Sequence, residues 1–172
     1  MKHWGVETAE EELIGSVDQP LCGGCLTPNF KLTEGDFEAD GQAFWEIKGP
    51  HCQSELCCDA TFNFFDMNET GQESPIGNVK KLKPGDAKGA AKALLTDADN
   101  FKFTLPKDAD VVQKAIGLTS LIMLDYYFFE FGGATSCDPF AAPGEPCCSL
   151  TLCSQYCCGV MLPWKCQIQK PE

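Results

Sequence analysis

The chain has 172 residues, the length of one ordinary domain and too short for two substantial ones. Its 13 Lys+Arg against 25 Asp+Glu leave a formal net charge of −12, which excludes the clustered cations of a nucleic-acid module and disfavours direct attraction to anionic lipid. With 44% hydrophobic residues, 12 Phe among them, a real core is available and the disordered class is excluded.

The 12 Cys suggest a disulfide scaffold in a secreted protein, yet residues 1–20 read MKHWGVETAEEELIGSVDQP and contain no apolar signal core. The expectation is therefore reduced, cytosolic thiols. Adjacent pairs Cys57/Cys58, Cys147/Cys148 and Cys157/Cys158 suit lipidation or metal binding better than simple disulfides.

In chain order, residues 1–12 form an acidic segment whose Glu10, Glu11 and Glu12 read as a solvated face. Between Pro28 and Leu105, short alternating apolar runs are broken by Gly, Pro, Asn and Asp: Phe30/Leu32, Phe44 to Ile47, Ala60/Phe62/Phe64 and Phe101/Phe103/Leu105. That pattern predicts β-rich architecture, with a turn at Gly49-Pro50 and a hairpin loop at Asp97-Ala98-Asp99-Asn100 joining Lys92–Thr96 to Phe101–Leu105. Composition leaves Gly85–Ala91 open between loop and helix.

After Pro106 the pattern changes. Asp108 is the expected N-cap of a helix running to about Glu130, with Asp110 favouring its positive end. From Ala115 onward the helix is apolar almost all round, so protein or lipid must cover every face, and Leu121 and Ile122 are both expected in the core. The charge-free stretch Ala115–Leu124 is too short to span a bilayer and Asp125 follows it, which favours a core helix over a membrane span. Residues 132–172 form a separate Cys/Pro-rich tail, expected to lie outside the core and at an interface.

Three stretches together resemble the phospholipid scramblase family: IGSVDQPLCGGCLTPNFKL, EIKGPHCQSELCCDATFNFF and TDADNFKFTLPKDADVVQKAIGLTSLIMLDYYFFE. The last carries most of the likeness: an acidic DADNF turn, a short strand ending in Pro, an Asp-x-Asp helix start and an apolar helix closing on aromatic-Phe-Glu. The resemblance covers about residues 13–131, corresponding to the later part of the family domain. It implies a mainly β, tubby-like fold, an antiparallel barrel wrapped around one hydrophobic C-terminal helix and here incomplete on its N-terminal side. The earlier strands of the family domain, and the upstream cysteines that members palmitoylate, have no counterpart in this sequence.

The same resemblance implies calcium-responsive, bidirectional movement of phospholipid between leaflets without covalent catalysis. It also implies membrane association, on the cytoplasmic face of the plasma membrane, with phospholipid as partner and room for protein partners. The competing expectations are a soluble tubby-like interaction module that moves no lipid, and a Cys-rich zinc-binding protein. The family's calcium segment maps onto Asp97, Asp99, Asn100 and Asp108, where oxygen ligands suit a hard cation. Phe101 at the fifth position and Lys102 in place of a central glycine make any such site weak, and a plain hairpin turn competes with it.

Cys22-Gly-Gly-Cys25 has the spacing of a zinc half-site that Cys52 with Cys57 and Cys58 could complete, although small buried core cysteines are the more ordinary outcome and zinc is not the expected cofactor. Cys147, Cys148, Cys153, Cys157 and Cys158 lie in an uncharged apolar stretch suited to S-palmitoylation. Lys80, Lys81, Lys83 and Lys88 read as a solvated loop rather than an import signal. Neither His3 nor His51 has a recognisable nucleophile motif nearby, so no catalytic residue is expected.

Overall fold

The computed structural model describes residues 2–10, 12–20, 24–35, 41–53, 60–68, 74–82, 100–129, 135–137, 140, 142 and 145–169. Seven strands, β1 (Lys2–Glu7), β2 (Leu13–Gln19), β3 (Asn29–Glu34), β4 (Gln42–Lys48), β6 (Thr61–Asp66), β7 (Gly77–Leu82) and β8 (Asn100–Thr104), pair antiparallel in the order β1-β2-β3-β4-β6-β7-β8. The predicted mainly β architecture with one helix holds. So does its incompleteness: among the described residues β1 and β8 remain the two edges of a curled half-barrel.

Alternation fixes which side of each strand faces inward. Val17, Phe30, Leu32, Ile47, Phe62, Phe64 and Val79 are all buried and line the concave face, while their neighbours point away. At β4 the register slips opposite Leu32/Thr33, so Phe44 and Trp45 are consecutive and both buried. Residues 1–12 do more than shed charge, since Trp4 and Val6 of β1 alternate inward against β2.

The helix α1 (Val111–Phe128) lies on the concave face. Its N-cap is Asp110 rather than Asp108: the Asp110 carboxylate accepts the Gln113 N–H at 2.7 Å, and the Gln113 side-chain oxygen accepts the Asp110 N–H at 3.3 Å. That reciprocal pair is a capping box, which Asp108 lies too far upstream to make. Phe129 closes the last turn through its N–H to the Asp125 carbonyl. Close approach is built on two glycines. A Cβ on Gly15 of β2 would collide with Ile116 and sit 2.6 Å from the Thr33 carbonyl oxygen, and one on Gly117 would sit 3.2 Å from Leu105.

Burial on α1 is one-sided, against the all-round expectation. Ile116, Ser120, Met123 and Leu124 face the sheet, whereas Val111, Leu118, Ile122 and Tyr126 form an exposed apolar stripe on the other side. The half-barrel has no strand over that side among the described residues, so Val111, Leu118 and Ile122 stay exposed there, while the Tyr126 ring lies 6.1 Å from that of Trp4 on β1. The C-terminal aromatics anchor the helix: Phe128 lies 5.9 Å from Phe30 and 5.0 Å from Phe62, and Tyr127 accepts a hydrogen bond from the Trp4 indole at 3.1 Å.

The tail is not a detached segment. It forms β10 (Pro146–Cys157) and β11 (Val160–Gln169), a long hairpin flanked by β5 (Cys52–Gln53) and β9 (Thr135–Cys137) on β10. Tyr156 carries it into the core: it is buried, accepts the Gln19 side-chain N–H at 2.5 Å and lies 6.2 Å from Phe128. The Cys158 N–H donates to the Cys25 carbonyl at 2.7 Å. Reading the tail as outside the core was wrong because one buried aromatic in an otherwise polar or thiol-rich run leaves no periodic signal.

Candidate functional site

Of the predicted calcium residues, the two that are described, Asn100 and Asp108, stand apart. Asn100 opens β8 opposite Leu82, at one end of β7, and Asp97 and Asp99 lie outside the described residues. Asp108 sits at the other end of β7, in a cleft of about 340 Å³ that Asp66, Asn68, Ile76 and Trp45 also line. Six residues of extended strand separate those ends by roughly 16 Å, so Asn100 and Asp108 do not converge. Lys102 stands mid-strand in β8 opposite Lys80, not in a turn. Among the described residues no three His, Cys, Asp or Glu side chains come together to hold a metal.

Of the zinc half-site, Cys25 is exposed with φ of 61°, while Cys22, Cys57 and Cys58 lie outside the described residues. Lys80 and Lys81 belong to β7 rather than a loop, with the Lys81 ammonium 4.5 Å from the centre of the Phe129 ring; Lys83 and Lys88 lie outside the described residues. So do the Gly85–Ala91 stretch, Lys92–Thr96 and the Asp97–Asp99 turn. The described partner of β8 is β7.

The tail cysteines sort by strand register. Cys148 pairs with Ile168, Cys153 with Trp164 and Cys157 with Val160, and cross-strand partners share a face. Cys153 and Cys157 are half-buried, Cys158 is exposed in the Cys158-Gly159 turn, and Cys147 lies within β10. Cys166, exposed on β11, belongs with them and was passed over in the sequence because Lys165 interrupts the charge-free run.

One polar cluster was not foreseen. Asp18, almost fully buried, contacts His3 Nδ1 at 2.5 Å through one carboxylate oxygen and accepts the Ser16 hydroxyl at 2.7 Å through the other. Asp18 stands between the other two, so the Ser16 proton points at the carboxylate and not at the imidazole. A serine nucleophile needs the imidazole in the middle. The trio therefore ties β1 to β2 and does not activate Ser16. Nearby on β4, partial burial raises the Glu46 carboxyl, but hydrogen bonds from Lys48 at 2.9 Å and Asn29 at 2.7 Å, with the charges of Lys48 and Lys31, outweigh it and hold the group below the ordinary carboxylate value.

What the geometry offers is two uncovered apolar surfaces, the outer stripe of α1 and the β11 face, on a chain whose described residues include no helix long and apolar enough to cross a membrane. The comparisons with known proteins bear on what such surfaces meet. The Scramblase family model matches residues 1–131. Phospholipid scramblase 1 of Mus musculus is 34% identical over 88 residues, 51% of this chain and 25% of that protein. Phospholipid scramblase 1 of Homo sapiens is 32% identical over 89 residues, 52% of this chain and 26% of the relative, and phospholipid scramblase 2 of Bos taurus is 32% identical over 84 residues, 49% and 26%. The chain thus spans about a quarter of the length of the curated relatives it matches. No solved structure matches it. The match begins at residue 1, takes in β1 and every other strand of the half-barrel, and ends just beyond α1, so the chain belongs to the scramblase family.

Proposed function

We propose that this protein works on phospholipid at a membrane surface and takes part in bidirectional movement of lipid between leaflets, in response to calcium. The observation that carries the reading is the outer side of α1. Val111, Leu118, Ile122 and Tyr126 are 82%, 52%, 62% and 47% exposed on a helix whose opposite side closes a core. A stripe of that kind on a folded domain marks an interaction surface, and an acyl chain lying along it leaves water without any helix crossing the bilayer. Relatives named phospholipid scramblase make phospholipid the natural occupant.

Calcium, on this reading, is held weakly by Asp97, Asp99 and Asn100, with Asp108 standing apart as a separate carboxylate. Attachment to the cytoplasmic face of the plasma membrane is by S-palmitoylation of Cys147, Cys148, Cys153, Cys157 and Cys158, two or more chains being needed for stable anchoring. Hydroxylamine, which cleaves thioesters, should release the protein from membranes; retention would contradict the acyl anchor.

The test of the function is reconstitution of the full chain in liposomes carrying a fluorescent lipid in both leaflets, with an impermeant quencher added outside. Loss of the inner-leaflet signal in calcium supports the reading, and persistence of it contradicts the reading. A second reading, a binding module that moves no lipid, is favoured by one observation: among the described residues no helix is long and apolar enough to cross a membrane.

A further inference from the structure

We propose that the outward face of the β10–β11 hairpin, built on Val160, Leu162, Trp164 and Ile168, seats in the interfacial layer of a phospholipid bilayer. This rests on the membrane reading above but concerns a different surface, beyond the segment matched by the family model. All ten β11 residues pair consecutively with β10, so alternation is unbroken along it and Val160, Leu162, Trp164, Cys166 and Ile168 project to one side. The four apolar members are 58%, 48%, 59% and 64% exposed. Their cross-strand partners Cys153 and Cys157 extend the same face, with Gln155, paired with Leu162 and bonded to His51 at 3.1 Å, as the polar residue between them. Tyr156, on the opposite face, is the residue that docks into the body. The apolar side therefore turns away from the domain.

Charge selects the bilayer as the occupant. All 25 Asp and Glu of the chain lie outside residues 146–169, whose only charged residue is Lys165, on the other face. An acid-free plate on a chain of net charge −12 approaches lipid phosphate without the repulsion that the acidic segments meet. Trp164 among aliphatic side chains suits the headgroup level, where an amphipathic ring has one apolar and one wet side. A second copy is a poor occupant by strand addition, since Pro163 removes a backbone donor from the edge strand β11.

The experiment uses the full chain, made without acylation, and phosphatidylcholine vesicles with and without brominated acyl chains. Brominated lipid should quench tryptophan emission, and Trp164→Phe should abolish that quenching while leaving vesicle sedimentation in place. Leu162→Ser/Trp164→Ser should lower sedimentation by at least about tenfold, the factor that burial of one such side chain supplies. The unchanged Tyr156 environment checks that the hairpin still docks. Quenching without leaflet exchange would leave this proposal standing and sink the lipid-moving function alone. Leaflet exchange with no quenching of Trp164 overturns the proposal. So does a vesicle-free dimer that Trp164→Ser dissociates, since the face would then belong to a second copy.

Discussion

Leu124 and Ile122 are two residues apart on α1 and face opposite ways, so truncating each to Ala measures the orientation of the helix. Leu124 is 0% exposed within the core cluster, and Ile122 is 62% exposed. A buried Leu→Ala substitution loses transfer free energy and leaves a cavity, together about 3 kcal/mol within a usual range of 2–5. Ile122 keeps most of its surface in water, so Ile122→Ala should cost roughly 0.5 kcal/mol. With a urea m-value of about 2 kcal/mol/M, the midpoints should fall by about 1.5 M and about 0.25 M. Urea unfolding followed by far-UV dichroism and by emission of the buried Trp45 reads both, with the m-value held constant as the check on two-state behaviour. Ile122→Asp should likewise fold, in contrast to the sequence-based expectation that both Leu121 and Ile122 are core. Equal losses for the two Ala variants, or a larger loss for Ile122→Ala, would refute the one-sided packing of α1.

Gly15→Ala should destabilise by about 1–3 kcal/mol, because its Cβ meets Ile116 and the Thr33 backbone where the helix comes closest to β2; a neutral effect in thermal unfolding would mean that the contact is looser. Glu46 has a folded-state pKa below its unfolded one, so it contributes stability that is present above the unfolded value of 4.5 and lost as pH falls through the folded value. Glu46→Gln should thus be less stable than wild type at neutral pH and converge with it in acid, and a gap that persists at low pH would contradict the ion pairing. Calorimetry should show calcium binding in about the millimolar range that Asp97→Ala/Asp99→Ala removes, micromolar binding being the contrary result. Lys102→Gly relieves its opposition to Lys80 yet weakens β8 by about 0.5–1 kcal/mol, so melting of the variant should not rise sharply.

The half-barrel was legible because Phe30/Leu32 and Phe62/Phe64 alternate, and a period of two with one face buried admits one register. The helix was legible from its continuous apolar run, but that run could not say which faces would be covered. Coverage depends on where the strands stop, and β1 and β8 stop short of the side that bears Leu118 and Ile122. The N-cap was missed because Asp108 and Asp110 are alike in type, and only the Gln113 reciprocal bond separates them. The β11 alternation of Val160, Leu162, Trp164 and Ile168 was visible in principle. Thiols, Gly159 and Pro163 drew the reading of that stretch toward composition instead of period.

The measurement that bears most directly on the account is leaflet exchange by the full chain beside a Leu118→Ser/Ile122→Ser variant, both checked for a native unfolding transition. These side chains are exposed, so the variant should fold, and the account predicts calcium-stimulated exchange by the wild type that the variant loses. Equal exchange by the two, or none by the wild type, would contradict the claim that the open side of α1 is where this protein meets lipid.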